Sequence, residues 1–189
     1  MRTEADFDST FELAATKLAA LLIEDGLVVS TAESCTGGWI AQVLTSIAGS
    51  SAWFDSGFVS YSNEAKQHLL SVPADYFVDG GHGAVSEETV RAMTMGAIKN
   101  SRASVAVAVS GVAGPSGGST DKPVGTVWVA WQSGEKTITK CFHFPGDRKQ
   151  VRAATVEKAL EGLIELLSHR LDTHPDKTLK RQVDKRQNN

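Results

Sequence analysis

The segment Thr31-Ala-Glu-Ser-Cys-Thr-Gly-Gly38 joins a short apolar run to a helical pattern. Open α/β sheets hold their ligands at such junctions, beyond the carboxyl ends of the strands. Gly37 and Gly38 let the backbone turn sharply into the helix and come close to a bound molecule. N–H groups left free at a helix mouth hold an anion or steady an oxyanion. Ser34 is therefore a candidate nucleophile, with Thr36, Gly37 and Gly38 around its ligand. A plainer reading stays open, in which Ser34 and Thr36 cap the helix and Glu33 favours its N-terminal dipole. Cys35 competes as nucleophile, because a helix N-terminus lowers a thiol pKa; a small buried cysteine is the commoner outcome.

A serine nucleophile needs a base, and Tyr61-Ser-Asn-Glu-Ala-Lys66 offers one where a strand runs into a helix. Lysine is a poor base at its usual pKa of about 10.4, and burial or a nearby cation lowers it. A neutral Lys66 takes the Ser34 proton either directly or through the Tyr61 hydroxyl. The bland alternative makes Lys66 a solvated helix lysine and Tyr61 a packed ring with a wet tip.

Gly111, Gly114, Gly117 and Gly118 crowd one loop, Ser110-Gly-Val-Ala-Gly-Pro-Ser-Gly-Gly118. That density suggests backbone wrapped around a ligand such as a phosphate, although the Gly-Lys-Ser/Thr ending of a Walker A loop is missing. A mobile turn is the simpler alternative. Arg148, in Gly146-Asp-Arg148, presents a fork that suits a phosphate and equally a surface ion pair. The five histidines are scattered, with no defensible Ser–His–Asp order and no metal-site spacing.

These candidates need strand ends and helix starts to hold them. Leu13, Leu18, Leu21 and Leu22 recur at helical spacing over Phe11–Glu24, with Ser9 or Thr10 able to cap and Gly26 to stop the helix. Leu27–Val29 reads as a buried strand, 37–48 as a helix, and Gly57–Tyr61 as a strand. Ser62 or Asn63 begins a helix carrying Lys66, and Ser86 begins another that ends near Asn100. Val105–Ser110 alternates Val with Ala, as a buried strand crossed by helices does. Val124–Trp131 and Thr137–Phe144 alternate around Ser133-Gly134 as a hairpin, and Asp147 begins a last helix through Leu167. Helices alternating with strands, followed by an antiparallel pair, predict an α/β fold with a mixed sheet in a single domain over 1–171.

With 189 residues, 41% of them hydrophobic, the chain can fill one core. A net charge of −3 argues against a general nucleic-acid binder. No run approaches the roughly 20 apolar residues of a membrane span, and the polar start MRTEADFDST is unlike a secretory signal. Two cysteines build no disulfide framework, so a reduced, cytoplasmic protein is expected. The stretch 172–189 has five Lys/Arg against three Asp and little to bury, and it reads as a mobile polar tail.

Taken together, Thr31–Gly38, Ala48-Gly-Ser-Ser-Ala-Trp-Phe54, Tyr61–Lys66, His82-Gly-Ala-Val-Ser86, Ser110-Gly-Val-Ala-Gly-Pro115 and Lys122-Pro-Val-Gly-Thr126 resemble the CinA C-terminal domain family. The likeness is strongest to its stand-alone nicotinamide-nucleotide amidohydrolases and covers roughly Leu13 to Leu167. It implies a three-layer α/β/α sandwich that deamidates nicotinamide mononucleotide with no metal or cofactor. Carried over by motif, it implies Ser34 as nucleophile and Tyr61 with Lys66 as the proton-handling pair. Thr36, Gly37, Gly38, Asn63, Gly111, Gly114, Gly117, Gly118 and Arg148 would bind the nucleotide. Expected partners are the small-molecule substrate and further copies of the chain, since an exposed apolar helix face commonly leads to a symmetric oligomer; nucleic acid and membrane are not expected. The rival readings are a non-catalytic nucleotide- or partner-binding module, and phosphoryl or pyrophosphate hydrolysis, which would need clustered carboxylates around a metal.

Overall fold

Val and Ala alternate along 105–109 because the two faces of that strand meet helices at different distances. A computed structural model describes residues 4–172, with side chains from 7 to 169. In chain order the elements are α1 (Glu4–Asp25), β1 (Val29–Glu33), α2 (Trp39–Thr45), β2 (Phe54–Val59), α3 (Asn63–Leu70), α4 (Glu87–Lys99), β3 (Val105–Gly111), β4 (Thr126–Ser133), β5 (Lys136–His143) and α5 (Arg148–Asp172). One sheet runs β2-β1-β3-β4-β5. β2, β1 and β3 are parallel, while β4 and β5 complete it antiparallel.

On one face Val105, Val107, Val109, Val127 and Val129 pack with Leu18 and Leu22 of α1 and Leu160, Leu163 and Leu167 of α5. On the other, Ala106, Ala108 and Ala130 pack with Val90, Met93 and Ala97 of α4 and Leu70 of α3. Short side chains on that face let α4 lie close to the sheet. The result is the expected α/β/α sandwich with a mixed sheet.

Element bounds differ from expectation in instructive places. α1 begins by Glu4, so Ser9 and Thr10 lie inside the helix instead of capping it. Its buried stripe is Phe11, Ala15, Leu18, Ala19 and Leu22, and Leu13 is 73% exposed. β1 starts at Val29 and continues to Glu33 with every residue buried. Its polar residues Ser30, Thr31 and Glu33 hid the strand from an apolar-run reading. β2, by contrast, begins earlier than expected, at Phe54, and α2 is shorter, ending at Thr45. The basic stretch from 173 onward lies outside the described residues. No helix among those described is long and apolar enough to cross a membrane.

Candidate active site

β1 delivers the Thr31–Gly38 turn to the carboxyl edge of the sheet, and the turn is built around Glu33. That side chain is fully buried. It accepts hydrogen bonds from the Thr31 hydroxyl (3.2 Å), the Thr36 hydroxyl (2.7 Å) and the N–H groups of Gly38 (3.0 Å), Ile40 (3.0 Å) and Ala41 (2.8 Å). The start of α2 is thus capped by a carboxylate from the preceding strand. Gly37 (φ +64°) and Gly38 (φ +96°) turn through the left-handed region, where a side chain is disfavoured. Neither Ser34 nor Thr36 is the cap.

Ser34 is left free to do something else. Its Oγ lies 2.9 Å from Lys66 Nζ, which also donates to the Ser60 carbonyl at 2.8 Å. The parallel strands set this up: Ser60, just past β2, donates its N–H to the Glu33 carbonyl, so the β2–α3 connection lies beside the Ser34 turn. Ser62 caps α3 by accepting from the Ala65 N–H at 3.0 Å, and Lys66 follows one turn on. Asn63 opens α3 immediately after that cap.

Lys66 is only 1% exposed. Burial disfavours the ammonium and lowers its pKa to about 8. Cys35 is affected in the opposite sense: burial pushes its thiol up to about 12. It stays a thiol at neutral pH, which weakens it as a rival nucleophile.

The other expected residues divide into groups. Tyr61 is 59% exposed, and its hydroxyl accepts from Arg148 at 2.8 Å. Lys66 reaches Ser34 without it. Arg148 also donates to the Gly114 carbonyl at 2.9 Å, joining the glycine loop to Tyr61. The Thr36 hydroxyl is committed to Glu33, and the Gly37 N–H to the Ser34 carbonyl at 3.1 Å. The amides of Ser34 and Gly38 are likewise committed, to the Val109 carbonyl and to Glu33, so those of Cys35 and Thr36 are the candidates in this turn for facing a developing oxyanion.

The glycine loop has an internal reason for its composition. A Cβ on Gly111 would lie 2.7 Å from the Thr126 carbonyl oxygen, and one on Gly118 would lie 2.9 Å from the Val124 nitrogen. Gly114 and Gly117 have φ of +81° and +88°. The loop folds back on 123–127, with Val112 donating to the Thr126 carbonyl and Gly125 to that of Val112. Close approach of the chain to itself accounts for Gly111 and Gly118, and left-handed backbone for Gly114 and Gly117.

An open cleft of about 700 Å³ adjoins the turn, lined by Gly37, Gly38, Trp39 and Gln42, by Arg148, Lys149 and Arg152 of α5, and by Asp8 of α1. Arg152 was not among the expected site residues. Its Nε donates to the Cys35 carbonyl (3.1 Å) and a terminal nitrogen to the Thr36 carbonyl (2.7 Å). Its guanidinium sits 5.3 Å from the centre of the Trp39 ring. The spacing Arg148–Arg152, one helical turn apart, was the available signal. Among the described residues, no three His, Cys, Asp or Glu side chains converge as metal ligands.

Glu33→Gln tests how the turn is held. Glutamine keeps one acceptor and turns an NH2 toward N–H donors, forfeiting at least two bonds to a charged group at about 1.5–3 kcal/mol each. Urea unfolding is expected to show a loss of about 3 kcal/mol or more; an unchanged midpoint would contradict the capping arrangement.

Residues 12–167 match the profile of the CinA C-terminal domain. Nicotinamide-nucleotide amidohydrolase PncC of Pseudomonas putida is 53% identical over 152 residues, spanning 80% of this chain and 94% of that one. The protein of the same name from Escherichia coli K12 is 53% identical over 139 residues, 73% of this chain and 83% of that one. Among solved structures, the competence/damage inducible protein CihA of Agrobacterium tumefaciens superposes with a TM-score of 0.80 at 46% identity, covering 83% of this chain and 95% of that one.

Proposed function

Because the chain belongs to the CinA C-terminal domain family, we propose that it is an amidohydrolase converting nicotinamide mononucleotide to nicotinate mononucleotide and ammonia, with Ser34 as nucleophile and Lys66 as its base. The observation that carries this reading is the 2.9 Å contact between Ser34 Oγ and a buried lysine whose pKa is lowered to about 8. A neutral amine at that distance accepts the hydroxyl proton instead of donating one.

The reaction then proceeds in two balanced halves. Ser34 Oγ bonds to the carboxamide carbon as its proton passes to Lys66 Nζ, and the carbonyl π electrons move onto oxygen. The Thr36 N–H steadies that oxyanion; one such donor is worth roughly 10²–10³ in kcat. Collapse breaks the C–N bond, and Lys66 returns the proton to the departing nitrogen, which leaves as ammonia. A water then attacks the ester and gives its proton to Lys66, and the same proton restores the Ser34 hydroxyl as nicotinate mononucleotide is released.

The basic cleft beside the turn suits the nucleotide's phosphate, with Arg148, Gly37 and Gly38 in its lining. Tyr61, held by Arg148, borders the substrate in this reading and Lys66 acts directly.

The test is ammonia release from nicotinamide mononucleotide by the purified protein in EDTA. Turnover unaffected by chelation is the expected result. Binding of the nucleotide without turnover would reject the amidase reading in favour of a binding module.

A further inference from the structure

The turn from Ser34 to Thr36 is fixed from two sides. Glu33 holds the N–H groups that begin α2, while Arg152 of α5 holds the carbonyls of Cys35 and Thr36 at 3.1 and 2.7 Å. We propose that Arg152, although it lines the cleft, acts on the reaction as a positioning residue, orienting through its two carbonyl contacts the peptide planes that present the oxyanion donor. This inference rests on Ser34 acting as the nucleophile.

A trans peptide is planar, and its C=O and the following N–H point in opposite directions. Gly114–Pro115 is the one cis bond among the described residues, so both peptides of this turn are trans. Fixing the Cys35 carbonyl against Arg152 therefore aims the Thr36 N–H away from α5. Fixing the Thr36 carbonyl aims the Gly37 N–H, which meets the Ser34 carbonyl at 3.1 Å. One guanidinium thus sets the direction of the oxyanion donor and anchors the nucleophile's own carbonyl.

Charge adds to direction. A cation on the carbonyl side polarises the peptide and strengthens its N–H as a donor. Lysine is a poor substitute, since a single ammonium lacks the planar fork that spans two carbonyls. Arg152 is itself fixed by the face of Trp39, which packs edge-on against Phe11 at 5.8 Å.

Arg152→Ala and Arg152→Lys are compared with wild type in steady-state kinetics, in thermal melts, and in the rate at which a fluorophosphonate probe labels Ser34. Arg152→Ala is expected to lower kcat roughly 10²-fold, within the range for losing an oxyanion donor, with KM changed less than about threefold. The labelling rate should fall in parallel, because the probe needs the same donor. Free guanidinium, well below denaturing concentrations, should recover part of the kcat of Arg152→Ala and none in wild type. Should Arg152→Ala melt below the assay temperature, Arg152→Lys decides, with kcat lowered at least tenfold in a folded protein.

A kcat within threefold of wild type in the folded variants overturns the proposal. So does a rise in KM alone, which would make Arg152 a substrate contact. The two readings fail separately. A wild type that labels with the probe but releases no ammonia refutes the proposed substrate, and the ratio of labelling rates then judges Arg152. A wild type that does neither removes the nucleophile, and the Arg152 proposal falls with it.

Discussion

Replacing Ser34 with alanine is expected to lower kcat for ammonia release by roughly 10⁴- to 10⁶-fold, the scale seen when an enzyme loses its covalent nucleophile. The fold should survive. Ser34 is 8% exposed, and its hydroxyl makes one contact, to Lys66. The backbone of the turn is held instead by Glu33 and Arg152. The change removes one hydrogen bond, worth about 1 kcal/mol, so unfolding curves should nearly overlay those of wild type. Fluorophosphonate labelling should disappear with activity. Residual turnover within tenfold of wild type would mean that the reaction passes through another group. Cys35 is poorly placed to be that group, because a thiol pushed up to about 12 supplies almost no thiolate at neutral pH.

The site is partly legible in the sequence for a physical reason. Ser34 and Lys66 stood out by type and by position at the mouths of helices, and the parallel pairing of β1 with β2 brings them together. That pairing is a long-range fact no local window contains. The Val–Ala alternation of 105–109 was legible for the complementary reason: period 2 survives without knowledge of neighbours, and the two cores meet β3 on alternate residues.

Two residues show what local reading misses. Glu33 looked like a dipole partner because nothing in its neighbourhood reveals burial or five simultaneous donors. Arg152 lies 116 residues from the carbonyl of Thr36 it holds, so only the packing of α5 against the turn exposes its contact. The glycine loop teaches the reverse lesson. Its density reads as a phosphate cradle, and the structure gives two of its glycines a further reason: the backbone of 123–127 fills the space a side chain on Gly111 or Gly118 would need. Glycine marks close approach, and the approaching body here is the chain itself.

Lys66→Met is expected to abolish turnover on the scale of the Ser34 change while leaving the protein as stable at pH 7 as wild type, or more so. The sign follows from linkage. Lys66 titrates near 8 in the folded chain and near 10.4 unfolded. Between those values the unfolded chain carries a proton that the folded chain lacks, so stability rises with pH across that window. The full rise is about 3 kcal/mol, from about 1.4 kcal/mol per unit of difference. Below pH 8 both states are protonated, and wild type carries that penalty in full. Methionine removes it and loses two hydrogen bonds, to Ser34 and to the Ser60 carbonyl, at about 1 kcal/mol each. Cys35 works against the same slope, because its thiol is raised in the fold and the unfolded thiol ionises first. The wild-type curve alone would therefore mislead, and the difference between wild type and Lys66→Met isolates the lysine. That difference should shrink as pH climbs above 8, vanish about one unit higher, and change sign towards pH 10, where wild type keeps its two hydrogen bonds without the penalty. The activity of wild type reads the same ionisation from the other side: kcat/KM should rise with pH and level off above an inflection near 8, where the free amine becomes the major form. A stability difference independent of pH, together with an inflection near 10, would show that Lys66 keeps an ordinary ammonium and cannot be the base.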